Sequence, residues 1–208
     1  MTLVLPRMFS PDDARTAERH NLLAGLDLMP LRFREDRTTQ AAARLLRLHG
    51  AAMPYLKLIK LLYLADRKAL VELGRPISCD LFVSMPHGPV LSRTYDLILG
   101  EPEANSYWRR YISPPENYAL RLVGDAPNDQ LSPAEERILD SIFREFGSMD
   151  KWALRNYTHT LPEYHDPNGS SVPIAMMEML TGQGVSESDA KAILEELGAE
   201  SFAARLLE

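Results

Sequence analysis

The stretch between Pro54 and Gly74 constrains the fold of this 208-residue chain more than any other. Proline needs no amide partner at the first position of a helix, and glycine readily adopts the left-handed conformation that ends one, so they predict a helix from Pro54 to Leu73. Along it, a broad arc of apolar side chains faces one way: Tyr55, Leu58, Ile59, Leu62, Ala65, Ala69, Leu70 and Leu73. The charged residues fall opposite: Lys57, Lys60, Arg67 and Lys68. We expect this helix to be the buried centre of the fold.

Asp66 interrupts the apolar arc of this helix. It lies between Leu62 and Ala69, where an ionised carboxylate without partners would be costly to desolvate. We therefore predict that Asp66 is buried and hydrogen-bonded, with a structural role. The candidate partners are the free amides after Gly88-Pro89, the Thr158 hydroxyl and the His159 ring.

The remaining elements indicate a mainly α (α+β) fold: a compact helical domain around a central buried helix, with a small antiparallel β-sheet. The signals are helical periodicity, helix caps and short β-branched runs. Predicted helices cover 38–48, 90–99, 133–146, a segment from Ser148 to Pro162, 174–180 and 186–197, and predicted strands cover 77–85, 107–112 and 118–123. Gly88 and Pro89 are predicted to form a tight turn directly before the helix that starts at Val90, either as a recognition surface or as a buried corner.

Turn-forming residues divide the chain into three parts. Residues 1–36 are an N-terminal arm with one predicted helix from Pro11 to Leu23, residues 37–166 are the helical domain, and residues 167–208 are a C-terminal helical extension. The boundary follows from the run of Asp, Pro, Asn, Gly and Ser at 166–171, which favours turns and solvated backbone.

Charge and composition restrict the partners and the location. The net charge of −6 lacks the basic footprint of a dedicated DNA binder, so DNA is an unlikely partner. An arginine-rich start could form a local basic patch, although a solvated helix face is favoured: Arg32, Arg34, Arg37, Arg44 and Arg47. The longest apolar-rich run, 56–71, carries too many charges to span a membrane. With no signal-like run in residues 1–8 and only Cys79, we expect a cytoplasmic protein.

A catalytic interpretation would use imidazole and carboxylate groups. The candidates are His87, His159, His165, Asp66 and Asp166. Their spacing matches no hydrolase, metal or nucleotide motif, and Pro162 keeps His159 and His165 off one regular helical face. We therefore expect no enzyme, no metal and no cofactor, and a small hydrolase using His and Asp remains the minor alternative.

Three short motifs together resemble the Panacea domain of SocA-like antitoxins. They are Lys60-Leu-Leu-Tyr-Leu-Ala-Asp66, Gly74-Arg-Pro-Ile77 and His87-Gly-Pro-Val90, in the order and spacing of that family. Leu131-Ser132-Pro133, Phe146-Gly147 and Thr158-His159 add to the similarity, which covers about residues 38–166. The motif residues with an expected structural role are Lys60, Tyr63, Asp66, Gly74, Pro76, Gly88, Pro89, Val90, Thr158 and His159. His87 departs from the family, which usually carries an aromatic residue there.

The resemblance implies an antitoxin that neutralises a co-encoded toxin by direct contact. Some relatives instead resemble adaptors that deliver the toxin to a protease, and a homo-oligomer is also possible. For the partner contact we favour a presumed loop whose composition is typical of binding hot spots, together with His87. Its residues are Tyr107, Trp108, Arg109, Arg110 and Tyr111.

Overall fold

The computed structural model describes residues 31–100 and 106–206, and the predicted helix at 11–23 lies outside them. The helices are α1 (Glu35–Leu48), α2 (Tyr55–Leu73), α3 (Ser92–Leu99), α4 (Tyr107–Tyr111), α5 (Pro133–Phe146), α6 (Lys151–Thr158), α7 (Met176–Thr181) and α8 (Glu187–Leu206). The strands are β1 (Ala52–Pro54), β2 (Phe82–Met85), β3 (Gly88–Leu91), β4 (Ala119–Arg121) and β5 (Val172–Pro173). The predicted fold class, mainly helical with small antiparallel sheets, is confirmed.

The central helix α2 is buried on nearly all sides. It starts directly after Pro54 and ends at Gly74, whose φ of 69° is the expected left-handed cap. It packs against α1, α5, α6, α7 and the β2–β3 hairpin. Leu61 and Tyr63 are fully buried, and the Tyr63 hydroxyl donates to Glu163 at 3.0 Å. Because nearly every side of α2 is covered, it organises the rest of the fold.

Three of the charged residues opposite the apolar arc of α2 reach buried or half-buried acceptors. Lys60 is fully buried and its Nζ donates to the Pro89 carbonyl at 2.7 Å, while Lys57 donates to the Gly147 carbonyl at 2.6 Å. Arg67 pairs with the buried Glu163 at 2.6 Å. The long stems of these side chains pack among apolar groups while the charged ends reach an acceptor, so charge alone did not indicate exposure.

Asp66 is buried and hydrogen-bonded, as predicted, but none of the three proposed partners is correct. Only 2% of the residue is exposed. Its Oδ1 accepts the backbone amides of Ile77 at 2.9 Å and Ser78 at 3.1 Å, and the Ser78 hydroxyl donates to Oδ2. The chain turns at Gly74 and runs back along the last turns of α2, which brings these amides to the carboxylate.

A second buried carboxylate, Asp80, holds the start of α3. It accepts the backbone amides of Leu81 at 2.7 Å, Arg93 at 2.9 Å and Thr94 at 2.8 Å. The Asp80 amide in turn donates to the Ser78 hydroxyl at 3.1 Å. The helix predicted from Val90 therefore begins at Ser92, and its free amides meet Asp80 rather than a partner protein.

The described residues form two small antiparallel sheets where one sheet was predicted. One has the order β3–β2–β5, with Met85 opposite Gly88, and the other pairs β1 with β4. The predicted strand at 107–112 is instead helix α4, begun by Ser106, whose hydroxyl accepts the Arg109 amide at 3.3 Å. Strand β2 starts only at Phe82, because the amides of Ile77 and Ser78 are bound to Asp66.

The C-terminal helices share the core of the central domain. The capping box of Ser132 and Glu135 at the start of α5 is confirmed. Helix α6 begins at Lys151 with Asp150 as its cap, later than the predicted Ser148. Buried residues of α7 and α8 belong to the same hydrophobic cluster as those of α2: Met179, Leu180, Ala190, Leu194 and Leu197. The domain boundary at 166–167 stays a prediction.

Four of the five arginines predicted for a basic patch are paired with carboxylates. Arg37 is buried against Glu135, with 7% of the residue exposed. Arg44 lies 2.8 Å from Asp140, and the remaining pairs are Arg34 with Asp36 and Arg47 with Asp125. The paired carboxylates offset the positive charge that a local basic patch would need.

Within the described ranges, no helix is both long and apolar enough to cross a membrane.

Replacing Asp66 by Ala should destabilise the protein by about 1–3 kcal/mol, because two buried amides and a buried hydroxyl lose their acceptor. Asp66→Asn keeps an oxygen for the amides and should cost less. Urea unfolding of the three proteins measures both losses. Wild-type stability in Asp66→Ala would contradict the importance of this contact.

The contribution of Asp66 to stability should fall as the pH rises towards neutrality. Burial raises the pKa of Asp66 from its ordinary 3.8 to about 7, against the lowering effect of the Ser78 hydrogen bonds. Between these values the folded chain holds a proton that the unfolded chain releases, so the Asp66 contribution is full at low pH and is lost through about pH 7. The difference in free energy of unfolding between the wild type and Asp66→Asn should therefore become smaller as the pH rises from about 5 to about 8. Parallel curves for the two proteins would refute this assignment.

Candidate partner-binding site

An apolar groove of about 460 Å³ lies between the first turns of α2, the β2–β3 hairpin, α3 and the start of α6. Ile59, Met85 and Val90 are its buried lining residues, whereas Tyr95 of α3 is half-buried. Tyr118 and Trp152 line it as well, although 60% and 54% of these residues are exposed. We call this surface the aromatic groove. Its size is within the range of about 300–1,000 Å³ typical of ligand sites.

The exposed aromatic residues of the groove are held near one another. The His87 ring meets the Trp152 ring edge-on, with centroids 6.4 Å apart. Lys151 Nζ lies 5.3 Å from the centroid of the Trp152 ring and 5.8 Å from that of Tyr118. Apolar surface of this kind is rarely left exposed without a role in binding when it is contiguous. The arrangement can therefore bury apolar groups of a partner and contact a negative charge.

The hairpin turn that presents His87 is packed tightly against the motif residues beneath it. Gly88 has a φ of +89°, and a Cβ there would lie 2.9 Å from Thr158 Oγ1, 2.9 Å from His159 Cδ2 and 3.0 Å from Lys60 Nζ. Proline followed by another residue and a left-handed glycine is typical of a type I hairpin turn. Gly88 to Leu91 are buried, so this motif is a structural corner that positions the turn.

Cationic and aromatic side chains brace the hairpin from below. Arg155 donates to the Pro86 carbonyl at 3.3 Å, and the Tyr164 hydroxyl donates to the Met85 carbonyl at 3.2 Å. Burial, and then the Arg155 charge, lowers the pKa of Lys60 well below its usual value. Burial followed by the charges of Arg155 and Lys60 also lowers the pKa of His159.

The predicted contact residues around Trp108 do not form an exposed loop. Trp108 lies on helix α4, and none of it is exposed, so the expectation that it faces a partner is wrong. The Tyr107 hydroxyl accepts a hydrogen bond from Gln40 Nε2 at 3.1 Å, and its ring lies 5.1 Å from that of Tyr111. A partner contact by the remaining members of this set stays a prediction: Tyr107, Arg109, Arg110 and Tyr111. Of the predicted contact residues, only His87 lines the aromatic groove.

The contact residues predicted from the sequence did not include Tyr118, Lys151 or Trp152. A signal for Trp152 was present in the periodicity of α6. Leu154 and Thr158 are four residues apart and are both buried, whereas Trp152 is two residues from Leu154, about 200° around the helix. A tryptophan opposite the buried face of a short helix should be exposed. No comparable local signal marks Tyr118, which reaches the groove through the pairing of β4 with β1.

No hydrogen bond joins the described residues considered for catalysis, although His159 lies near enough to Asp166 and His87 to interact with their charges. Asp66 is occupied by Ile77 and Ser78, and His165 and Asp166 are exposed. His159 Nε2 is buried and has no hydrogen-bond partner among the described residues. Among the residues that the structure describes, no group of three or more His, Cys, Asp or Glu side chains could hold a metal ion.

Gly88→Ala should destabilise the fold more than Gly169→Ala. Both glycines have a φ of +89°, so both substitutions strain the backbone by about 1–3 kcal/mol, but a Cβ at Gly169 meets nothing within 4 Å. The extra loss in Gly88→Ala measures the crowding against Thr158, His159 and Lys60. Thermal unfolding of both variants makes the comparison. Equal losses would show that the turn does not depend on this packing.

Comparison with known proteins gives one family match. The model of the family described as "Antitoxin SocA-like, Panacea domain" matches residues 58–164, just over half of the chain. The matched region includes all three motifs and the hairpin beside the aromatic groove. No curated protein and no solved structure matches the chain. The chain therefore belongs to the SocA-like antitoxin family, whose Panacea domain it carries.

Proposed function

We propose that this protein neutralises a toxin by binding it directly through the aromatic groove. Membership of the family indicates an antitoxin role, a toxin as partner and a non-enzymatic mode of action. The observation that carries the proposal is the exposure of Tyr118 and Trp152 beside the buried Ile59 and Val90. These side chains offer a partner exposed aromatic surface around an apolar pocket, the usual composition of an interface hot spot.

The rigidity of the groove supports binding. Ordering side chains and loops at an interface opposes association, so a surface that is already fixed binds more tightly than a mobile one. Here Lys60 holds the Pro89 carbonyl, and Arg155 holds the Pro86 carbonyl. On the other wall, Asp150 caps α6 and fixes the first turn, which carries Trp152. The walls therefore need little ordering when a partner arrives.

A protease adaptor is the second candidate function. An adaptor needs one surface for its cargo and another for the protease, and the end of α8 offers a second exposed apolar surface. There 52% of Phe202 and 70% of Leu206 are exposed. In the adaptor model, the aromatic groove binds the toxin and this helix end contacts the protease.

The proposed place of action is the cytoplasm. Cys79 is the only cysteine, so the fold uses no internal disulfide, as is usual for proteins of reducing compartments. DNA is not the proposed partner, because Arg37 and Arg44 are paired with carboxylates. Self-association through the α8 end remains a further possibility that size measurements would detect.

Trp152→Ala should weaken the complex with the toxin encoded beside this gene by about 2 kcal/mol or more, roughly thirtyfold in Kd. Phe202→Ala is the matched control, because 52% of Phe202 and 54% of Trp152 are exposed and only Trp152 lines the groove. Titration calorimetry and growth rescue on coexpression measure the effect. Full neutralisation by a folded Trp152→Ala variant would refute the role of the groove.

The two candidate functions differ in their dependence on a protease. Direct neutralisation should persist in cells that lack the responsible protease and in a purified assay of the toxin's activity. Adaptor function should disappear in both settings, and it should also be lost in Phe202→Ala, which leaves the groove intact. Protection that requires the protease would replace direct binding by delivery as the function.

A further inference from the structure

The aromatic groove carries one formal charge, and that charge is positive. Among its described lining residues, Lys151 alone carries a formal charge, in a chain whose net charge is −6. The ammonium group lies near the rings of Tyr118 and Trp152, 5.8 and 5.3 Å from their centroids. Lys151 therefore gives this surface a charge opposite to that of the protein as a whole.

Lys151 forms no ion pair with another described residue. Lys68 and Lys191 pair with glutamates one helical turn away, at 2.7 and 3.8 Å, but within the described ranges Lys151 forms no such pair. Its neighbour Asp150 caps the helix instead, where Oδ1 accepts the amides of Trp152 at 2.7 Å and Ala153 at 2.9 Å. The ammonium group is thus available to a partner.

We propose that the groove binds an internal segment of the toxin in which a large apolar side chain stands next to an aspartate or glutamate. This inference rests on the proposed function of direct binding. The apolar side chain would occupy the space beside Ile59 and Val90, where it would be shielded from water. The carboxylate would meet Lys151 at the rim, in a position partly shielded from water by Trp152 and Tyr118.

The surroundings of Lys151 make the preference for a carboxylate specific. A hydrogen bond between an ammonium and a carboxylate is stronger than one between neutral groups, and nearby apolar rings reduce its screening by water. A basic toxin segment would place like charges together on the same surface, which is unfavourable. The groove therefore selects by charge as well as by apolar contact, and it disfavours basic segments.

Selection from a random peptide library tests the preference without knowledge of the toxin. Random heptapeptides displayed within a scaffold loop, so that no free carboxyl terminus is present, are selected on the full-length protein. Peptides with an aromatic or aliphatic residue beside Asp or Glu should be enriched and should lose binding to Trp152→Ala. On Lys151→Glu the acidic preference should disappear. Lys191→Glu, a charge reversal on α8 outside the groove, should leave it unchanged.

The same variants test the toxin complex. Lys151→Glu should weaken binding of the neighbouring toxin at least about tenfold and more than Lys151→Gln does, whereas Lys191→Glu should have no effect. Circular dichroism establishes that each variant is folded. Enrichment of apolar peptides without acidic residues, no enrichment, or enrichment only in a library with free carboxyl termini would overturn the inference. If any of these results came with a toxin complex that still depends on Trp152, the proposed function would stand. Loss of the Trp152 dependence would instead remove the proposed function itself.

Discussion

The contact between Asp66 and the returning chain fixes the geometry on which the groove depends. Asp66 accepts hydrogen bonds from the amides of Ile77 and Ser78. The Ser78 hydroxyl accepts the Asp80 amide, and the Asp80 carboxylate accepts the first amides of α3. The β2–β3 hairpin lies between these attachments, so its position relative to α2 is set at both ends. A buried carboxylate that lacked these donors would be strongly destabilising, and this penalty makes alternative placements of the segment unfavourable.

The three motifs of the family are parts of one packing unit. Lys60 of the first motif holds Pro89 of the third, and Asp66 of the first holds Ile77 of the second. Gly88 permits the close approach, because any Cβ there would collide with Thr158 and His159. Residues far apart in the sequence therefore depend on one another for their packing. This dependence gives a physical reason for the presence of all three motifs in one chain. The unit supports the groove from beneath and provides Val90 as part of its lining.

Local signals in the sequence predicted most of the helices well. They failed where the structure depends on contacts between segments that are far apart in the sequence. Pro54 and Gly74 bounded α2, and Ser132 began α5, because caps act within one turn. The burial of Asp66 also followed from the periodicity of its own helix. Its partner did not, since the return of the chain after Gly74 is a tertiary feature. Trp108 was misplaced because a short polar stretch predicts a loop, whereas packing of α4 against α1 buries that side chain.

The proposed contact residues lie mostly outside the motifs that identify the family. Tyr118, Lys151 and Trp152 are exposed or half-buried, and their side chains make few of the contacts that hold the fold together. Substitution at such positions usually changes stability by less than about 0.5 kcal/mol, whereas Lys60, Asp66 and Gly88 are confined by buried partners. The fold can therefore keep its supporting unit while the groove changes in charge and shape. In the proposed function, membership of the family indicates an antitoxin role, and the residues of the groove determine which toxin is bound.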